Sequence, residues 1–180
     1  LREEKSVKPL IRALKDESDQ VRIHAAEALG DLKDRRAIDP LARIFDDENI
    51  RARLSAARAL GKIGTSKSVD TLTFVLKSDE EEKVRFEAAE ALAAIGVISV
   101  QSLIQALKEE NEQVRKIAAW ALGIIEGPAI APLISALKDK NVHIRDEAIF
   151  VLENIGASSV QPLLQSLKDP DPNVRARIAE

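Results

Sequence analysis

A string of the form Val-Arg-x-x-Ala-Ala-x-Ala-Leu-Gly, preceded by Pro-Leu-Ile-x-Ala-Leu-Lys, recurs about every thirty residues along this 180-residue chain. Its arginine falls at Arg22, Arg53, Arg85, Arg115, Arg145 and Arg175, at spacings of 31, 32, 30, 30 and 30 residues. No other feature constrains the fold as strongly. A unit of this length cannot bury an apolar face alone, so its copies must stack on their neighbours in an open array. Each copy is also a reference for the others, and departures from the pattern are visible in one sequence.

Each unit holds two segments, A (as in Val7 to Lys15) and B (as in Ser18 to Gly30). Both have the period of a helix. In B of the fourth copy, Val114, Ala118, Ala121, Leu122 and Ile125 follow one face of a 3.6-residue repeat, and Val100, Leu103, Ile104 and Leu107 do the same in A. Ser18, Asn49, Asn111, Asn141 and Asp171 stand four places before the arginine, where a short side-chain oxygen caps a helix. The third copy has Glu81 there and an extra residue within 78–83. Prolines 9, 40, 132 and 162 are expected in the first turn of A, where a missing N–H is harmless. Lysines 15, 77, 108, 138 and 168 suit the negative end of A, and glycines 30, 61, 64, 96, 123 and 156 are expected to punctuate the end of B. Paired alanines (Ala25-Ala26, Ala56-Ala57, Ala88-Ala89, Ala118-Ala119) allow close approach of B helices, whereas Ala148-Ile149 predicts wider stacking at the fifth copy.

The expected fold is therefore all-α, a right-handed α-solenoid of antiparallel helix pairs, with residues 1–180 forming a single array of about six units. Leu1 aligns with Leu32, the last core residue of a B helix, and the chain stops at Glu180 inside a sixth B segment. Both ends lack a polar cap, so the expectation is a piece of a longer solenoid with incomplete first and last repeats, monomeric or weakly associated end to end. A net charge of −3 argues against binding driven by phosphate neutralisation. No apolar run approaches the ~18–20 residues that span a bilayer, and no targeting segment is visible. The absence of cysteine excludes a disulfide framework and thiol chemistry, and fits a cytoplasmic protein.

Catalytic constellations are missing from the pattern. His24 and His143 are four repeats apart, so neither metal binding nor acid–base work is expected of them. No glycine-rich phosphate loop is present, and no cofactor is expected. The outliers carry the functional signal instead. At B positions outside the core stripe the third copy has Phe86, Glu87, Glu90 and Ala94, the fourth Lys116, Ile117, Trp120 and Ile124, and the fifth Asp146, Glu147, Phe150 and Asn154. Ile117, Trp120 and Ile124 form one helical stripe, with the only tryptophan at its centre. Phe86, Glu87, Glu90, Ile117, Trp120, Ile124, Asp146 and Phe150 are the candidate partner-binding residues: an apolar patch with an acidic rim, suited to a partner with basic residues around an apolar centre. The same side chains could instead fill the gap between neighbouring B helices, since one residue step turns a helix by only about 100°. Phe74 is a lesser outlier on segment A, where the other copies have Arg12, Arg43, Gln105, Ser135 and Gln165. Phe45 aligns with core leucines 14, 76 and 107.

The paired unit Pro-Leu-Ile-x-Ala-Leu-Lys-Asp and Val-Arg-x-x-Ala-Ala-x-Ala-Leu-Gly-x-Ile-Gly resembles the HEAT repeat, and more narrowly the PBS-lyase HEAT-like subclass, over essentially the whole chain. The resemblance implies that the B helices line a concave binding face. It implies that Arg22, Arg53, Arg85, Arg115, Arg145 and Arg175 form a structural ladder between units, with Asp16, Asp47, Glu109, Asp139 and Asp169 in reach. HEAT-like deoxyhypusine hydroxylases hold iron with His-Glu dipeptides; this chain has His24-Ala25 and His143-Ile144, so no metal is expected. The leading expectation is a non-enzymatic scaffold that binds a protein or peptide in its concave groove, without nucleic-acid or membrane partners. The alternative is a subunit of a bilin lyase-like or other cofactor-handling enzyme. A nucleic-acid reader of the helical-repeat glycosylase kind would need a basic stripe, which the mixed and acidic groove positions do not supply.

Overall fold

The computed structural model describes the backbone of residues 2–179 and the side chains of 7–172 and 174–179. The reading of Leu1 as a core residue lies outside the described residues. Twelve α-helices are present among them: α1 (Arg2–Ala13), α2 (Asp19–Leu32), α3 (Ile38–Ala42), α4 (Ile50–Ile63), α5 (Ser66–Ser78), α6 (Glu82–Ile95), α7 (Val100–Ala106), α8 (Glu112–Ile125), α9 (Gly127–Ala136), α10 (Val142–Ile155), α11 (Ala157–Ser166) and α12 (Pro172–Ala179). Short 3₁₀ turns flank α3 and precede α7. Odd-numbered helices are A and even-numbered ones B, so the fold is an all-α helix-pair repeat of the solenoid class.

Internal contacts divide the chain into two compact units, residues 1–95 and 96–180, where the sequence suggested no boundary. The division falls at a repeat junction, next to Gly96 with φ of 81°. A repeat array has no central core to prevent such a division, because each pair packs only on its neighbours.

In the first unit α2 packs on α4 and α4 on α6. Leu29, Leu41, Leu60, Leu72, Leu76 and Leu92 are fully buried there. Each contributes about 2 kcal/mol of transfer free energy. Gly30 and Gly61 do not end their helices. Each lies within a B helix and lets the next one approach: an added Cβ would sit 2.7 Å from the Ala59 Cα at Gly30, and 2.9 Å from the Ala91 Cβ at Gly61. Gly64 is a true terminator, left-handed at φ 62°, with its N–H donating to the Leu60 carbonyl. The end of α2 is instead formed by Lys33, at φ 51°. Of the expected caps, Asn49 accepts from the Arg51 N–H, but Ser18 makes no capping bond. The Asp16 carboxylate takes the Ser18 N–H, which organises the turn from one step further back.

In the second unit α7 packs on α8, α9 on α10 and α8 on α10. Leu103, Leu107, Leu122, Leu133, Ile144 and Leu152 are its fully buried large side chains. Asn111 and Asn141 cap α8 and α10 as expected. The prolines do not all fall in first turns. Helices α1, α9 and α11 begin well before Pro9, Pro132 and Pro162, which lie inside them. Only Pro40, in the five-residue α3, keeps the expected place. Gly123 lies within α8, and an added Cβ there would meet nothing within 4 Å.

Candidate partner-binding cleft

The repeated arginines lie at the turns between A and B. In Arg22, Arg85, Arg115, Arg145 and Arg175, Nη1 donates to the carbonyls six and five residues earlier, at 2.6–3.1 Å. Arg53 donates to one such carbonyl, Asp47, at 2.7 Å. The guanidinium thus satisfies carbonyls left open at the end of the A segment. In the first unit the arginine also reaches the next repeat: Arg22 Nε lies 2.6 Å from Asp47, and Arg53 Nε 3.1 Å from Asp79. Asp79 was not among the acids expected, because the extra residue of the third copy obscures its register. Burial opposes the charge on Asp47, but hydrogen bonds from Arg22 and from the Asn49 N–H hold its carboxyl below the usual 3.8. In the second unit the cross-repeat contact to Asp169 comes from Lys138, at 2.7 Å. These contacts give the arginines a turn-bracing role.

The B-helix outliers divide between the units. In the first, Phe86 is 40 % exposed and lines a hollow with Leu54 and Lys83. Glu87 lines the same hollow, with its carboxylate engaged. It accepts both ends of the Arg58 guanidinium, at 2.9 and 2.6 Å, while Glu27 and Glu90 lend Arg58 further Coulombic support. The hydrogen bond to Glu87 is the largest cause of the raised pKa of Arg58. Lys62 pairs with Asp31 at 2.5 Å. Close small-residue contact and crossing ion pairs therefore hold these B helices together.

The second unit is built differently between α8 and α10. Val151 and Ile149 stand where earlier B helices carry alanine, and Glu153 where three of them carry glycine. Gly123 consequently has no close neighbour. A cleft of about 790 Å³ lies here, walled by Ala119, Trp120, Gly123 and Ile124 of α8 and by Phe150 and Val151 of α10. Trp120 is 37 % exposed, Phe150 55 % and Ile124 57 %. Ile117 departs from expectation: at 6 % exposure it is a core residue, because its step of the helix turns it inward. Lys116, Asp146, Glu147 and Asn154 edge the cleft. Lys116 pairs with Glu112 at 2.6 Å, Asp146 lies 3.3 Å from Arg177, and Glu147 lies 3.7 Å from Arg115 Nε. The Asn154 amide donates to the Phe150 carbonyl at 2.8 Å. The cleft is thus an apolar hollow whose polar edge is largely engaged within the chain. Its volume is of the order of a ligand pocket, about 300–1,000 Å³. Gly123, read in the sequence only as a helix-ending glycine, and Val151, not singled out there, also line the cleft; the alanine-to-valine change at Val151 was the available signal.

His24 is solvent-exposed and 3.2 Å from Glu27. Among the described residues no three of His, Asp and Glu are grouped so as to hold a metal ion. The buried hydroxyls of Ser99 and Ser159 donate to main-chain carbonyls, of Gly96 and of Leu152 and Gly156, and so brace helix ends. Among the described residues no helix is long and apolar enough to cross a membrane.

The family profile described as HEAT repeats matches residues 7–93, 41–123, 75–153 and 130–180. No curated protein matches the chain. Among solved structures it is similar to the complex of CpcE and CpcF of phycocyanin lyase from Nostoc sp. PCC7120, at 25 % identity and TM-score 0.56, over 96 % of this chain and 74 % of that one. It is also similar to the archaeal HEAT-like repeats protein from Thermococcus onnurineus NA1, at 15 % identity and TM-score 0.50, over 98 % and 85 %.

Proposed function

The chain belongs to the HEAT-repeat family, and from that premise we propose that it is a non-enzymatic scaffold that grips a protein or peptide partner in the cleft between α8 and α10. The observation that carries the reading is the cleft itself. Two large exposed rings face an apolar hollow at a place where smaller residues would have let the helices close. Closing α8 onto α10 with alanines would bury that surface; leaving it open keeps apolar area in water. A partner that inserts one or two large apolar side chains removes that area from water, and tryptophan is a frequent anchor of such contacts. Asp146 at the edge keeps an exposed carboxylate beside Arg177 and so favours a basic residue next to the apolar ones. Phe86, Glu87 and Glu90 belong to a separate surface of the first unit in this reading. A cytoplasmic setting goes with it.

The test uses peptides selected by display against the wild-type protein. Their affinities are then compared on wild type, Trp120→Ala and Phe150→Ala. The expected loss is at least about tenfold, the effect of removing a central anchor worth roughly 1.4 kcal/mol or more. Equal affinity for all three proteins would remove the cleft from the account.

The second reading is a subunit of a cofactor-handling enzyme, supported by the likeness to the phycocyanin lyase complex and by a cleft large enough for part of a flat apolar group. A bilin added to the protein would then gain a shifted absorbance band that Trp120→Ala abolishes.

A further inference from the structure

Phe74 is the most exposed large apolar side chain among the described residues, at 68 %. It stands on α5, where the equivalent positions are arginine, glutamine or serine. With Phe45 and Val75 it lines a groove of about 590 Å³ between the turn after the second A segment and the turn after the third. Phe45 aligns with core leucines yet is only half-buried, so it adds a second ring to this groove.

The carboxylates around the rings fall into two sets. Asp47 and Asp79 are engaged by Arg22 and Arg53. Asp46, Glu48 and Glu80 are exposed, and no cation among the described residues forms an ion pair with any of them. Asp46 also borders a neighbouring hollow lined by Lys15 and Arg43, so Glu48 and Glu80 carry most of the unmatched charge; Arg53 is buried in the floor and turned to Asp47 and Asp79. Exposed aromatic area and unmatched negative charge thus share one groove, on the A-helix side of the first unit.

We propose that this groove binds an arginine-bearing segment of a partner protein. A guanidinium lies flat over the Phe74 ring while its N–H groups meet the carboxylates of Asp46, Glu48 or Glu80. The chemistry selects arginine over the alternatives. A neutral apolar segment would cover the rings but leave the charges unmatched. A phosphate backbone would be repelled. Lysine would match the charge but stacks less well on a ring than the planar, weakly hydrated guanidinium. The site is separate from the α8–α10 cleft and does not depend on it.

The experiment is fluorescence anisotropy with a labelled peptide of alternating arginine and serine, against lysine–serine and glutamate–serine versions. The arginine peptide should bind, more tightly than the lysine peptide, and the glutamate peptide should not. Binding should weaken severalfold as salt rises from about 50 to about 300 mM, through screening of the exposed carboxylates. Phe74→Ser should lower affinity about fivefold, the scale of an exposed cation–π contact. Its fold is secured by precedent, since Ser135 holds the same position in the fifth copy. The double variant Glu48→Gln/Glu80→Gln, which keeps the ring, should lower affinity similarly. Trp120→Ala should leave binding unchanged. Wild-type affinity in Phe74→Ser would overturn the proposal, as would loss of binding in Trp120→Ala or no binding of the arginine peptide at low salt.

Discussion

At the scale of the residue, six arginines at one repeat position do unequal work. Arg53 is 5 % exposed, and its ion-pair partner Asp79 is nearly as buried. Removing the guanidinium leaves a buried carboxylate without its counter-charge, an arrangement that costs about 3 kcal/mol or more. Arg145 is half-buried and donates to two main-chain carbonyls, whose loss costs about 1 kcal/mol. Urea denaturation should therefore rank Arg53→Ala well below Arg145→Ala in stability. The carboxylates make a second prediction. Asp47 and Asp169 have folded pKa values below their ordinary ones: at Asp47 burial pushes upward but is outweighed by the hydrogen bonds from Arg22 and the Asn49 N–H together with the nearby arginine charges, and at Asp169 the hydrogen bond from Lys138 dominates. The folded state holds its protons less tightly than the unfolded chain. Their contribution is complete at neutral pH and is lost as pH falls below about 4. A pH series of thermal melts should show this acid-side loss, and Asp47→Asn should be less stable at pH 7 yet shallower in its acid dependence.

At the scale of the element, helix spacing is set by one or two residues per turn. Gly30 is pressed against Ala59, so Gly30→Ala should destabilise the first unit by about 1–2 kcal/mol through overpacking. Gly123 has no neighbour within 4 Å, so Gly123→Ala should stabilise the second unit by about 0.5–1 kcal/mol through helix propensity alone. Opposite signs for the same substitution at aligned positions, measured by thermal or urea melts, would establish the difference in spacing. The same contrast explains what was legible in the sequence. The helix pairs, the arginine positions and the asparagine caps follow from local pattern, and the structure has them. Ala148-Ile149 announced the wider gap beside α10. The burial of Ile117 was not legible, because one residue step on a helix separates core from surface and only the helix packing decides which it is. Nor were the early starts of α1, α9 and α11, which take up prolines that local rules place in first turns. The engagement of Glu87 by Arg58 depends on a pairing 29 residues apart, which no local pattern encodes.

At the scale of the molecule, an array of similar pairs acquires function where its copies differ. The B helices of the first unit are joined by glycine-to-alanine contact and by ion pairs, Arg58 to Glu87 and Lys62 to Asp31. Between α8 and α10 the glycine-to-alanine contact is replaced by larger side chains around an open cleft, and the crossing ion pair, Arg115 to Glu147, lengthens to 3.7 Å. Hydrogen exchange should register this, with central amides of α4 exchanging about tenfold or more slowly than those of α10, in keeping with local packing. The chain's only tryptophan lies in the cleft and reports directly on whether that opening is a binding site. The most direct measurement is therefore a titration of Trp120 fluorescence with a peptide selected on the wild-type protein. Saturable change in Trp120 emission, at the affinity measured independently and weakened at least about tenfold by Phe150→Ala, is the predicted result. Binding that leaves Trp120 emission unchanged and is indifferent to Phe150→Ala would contradict it.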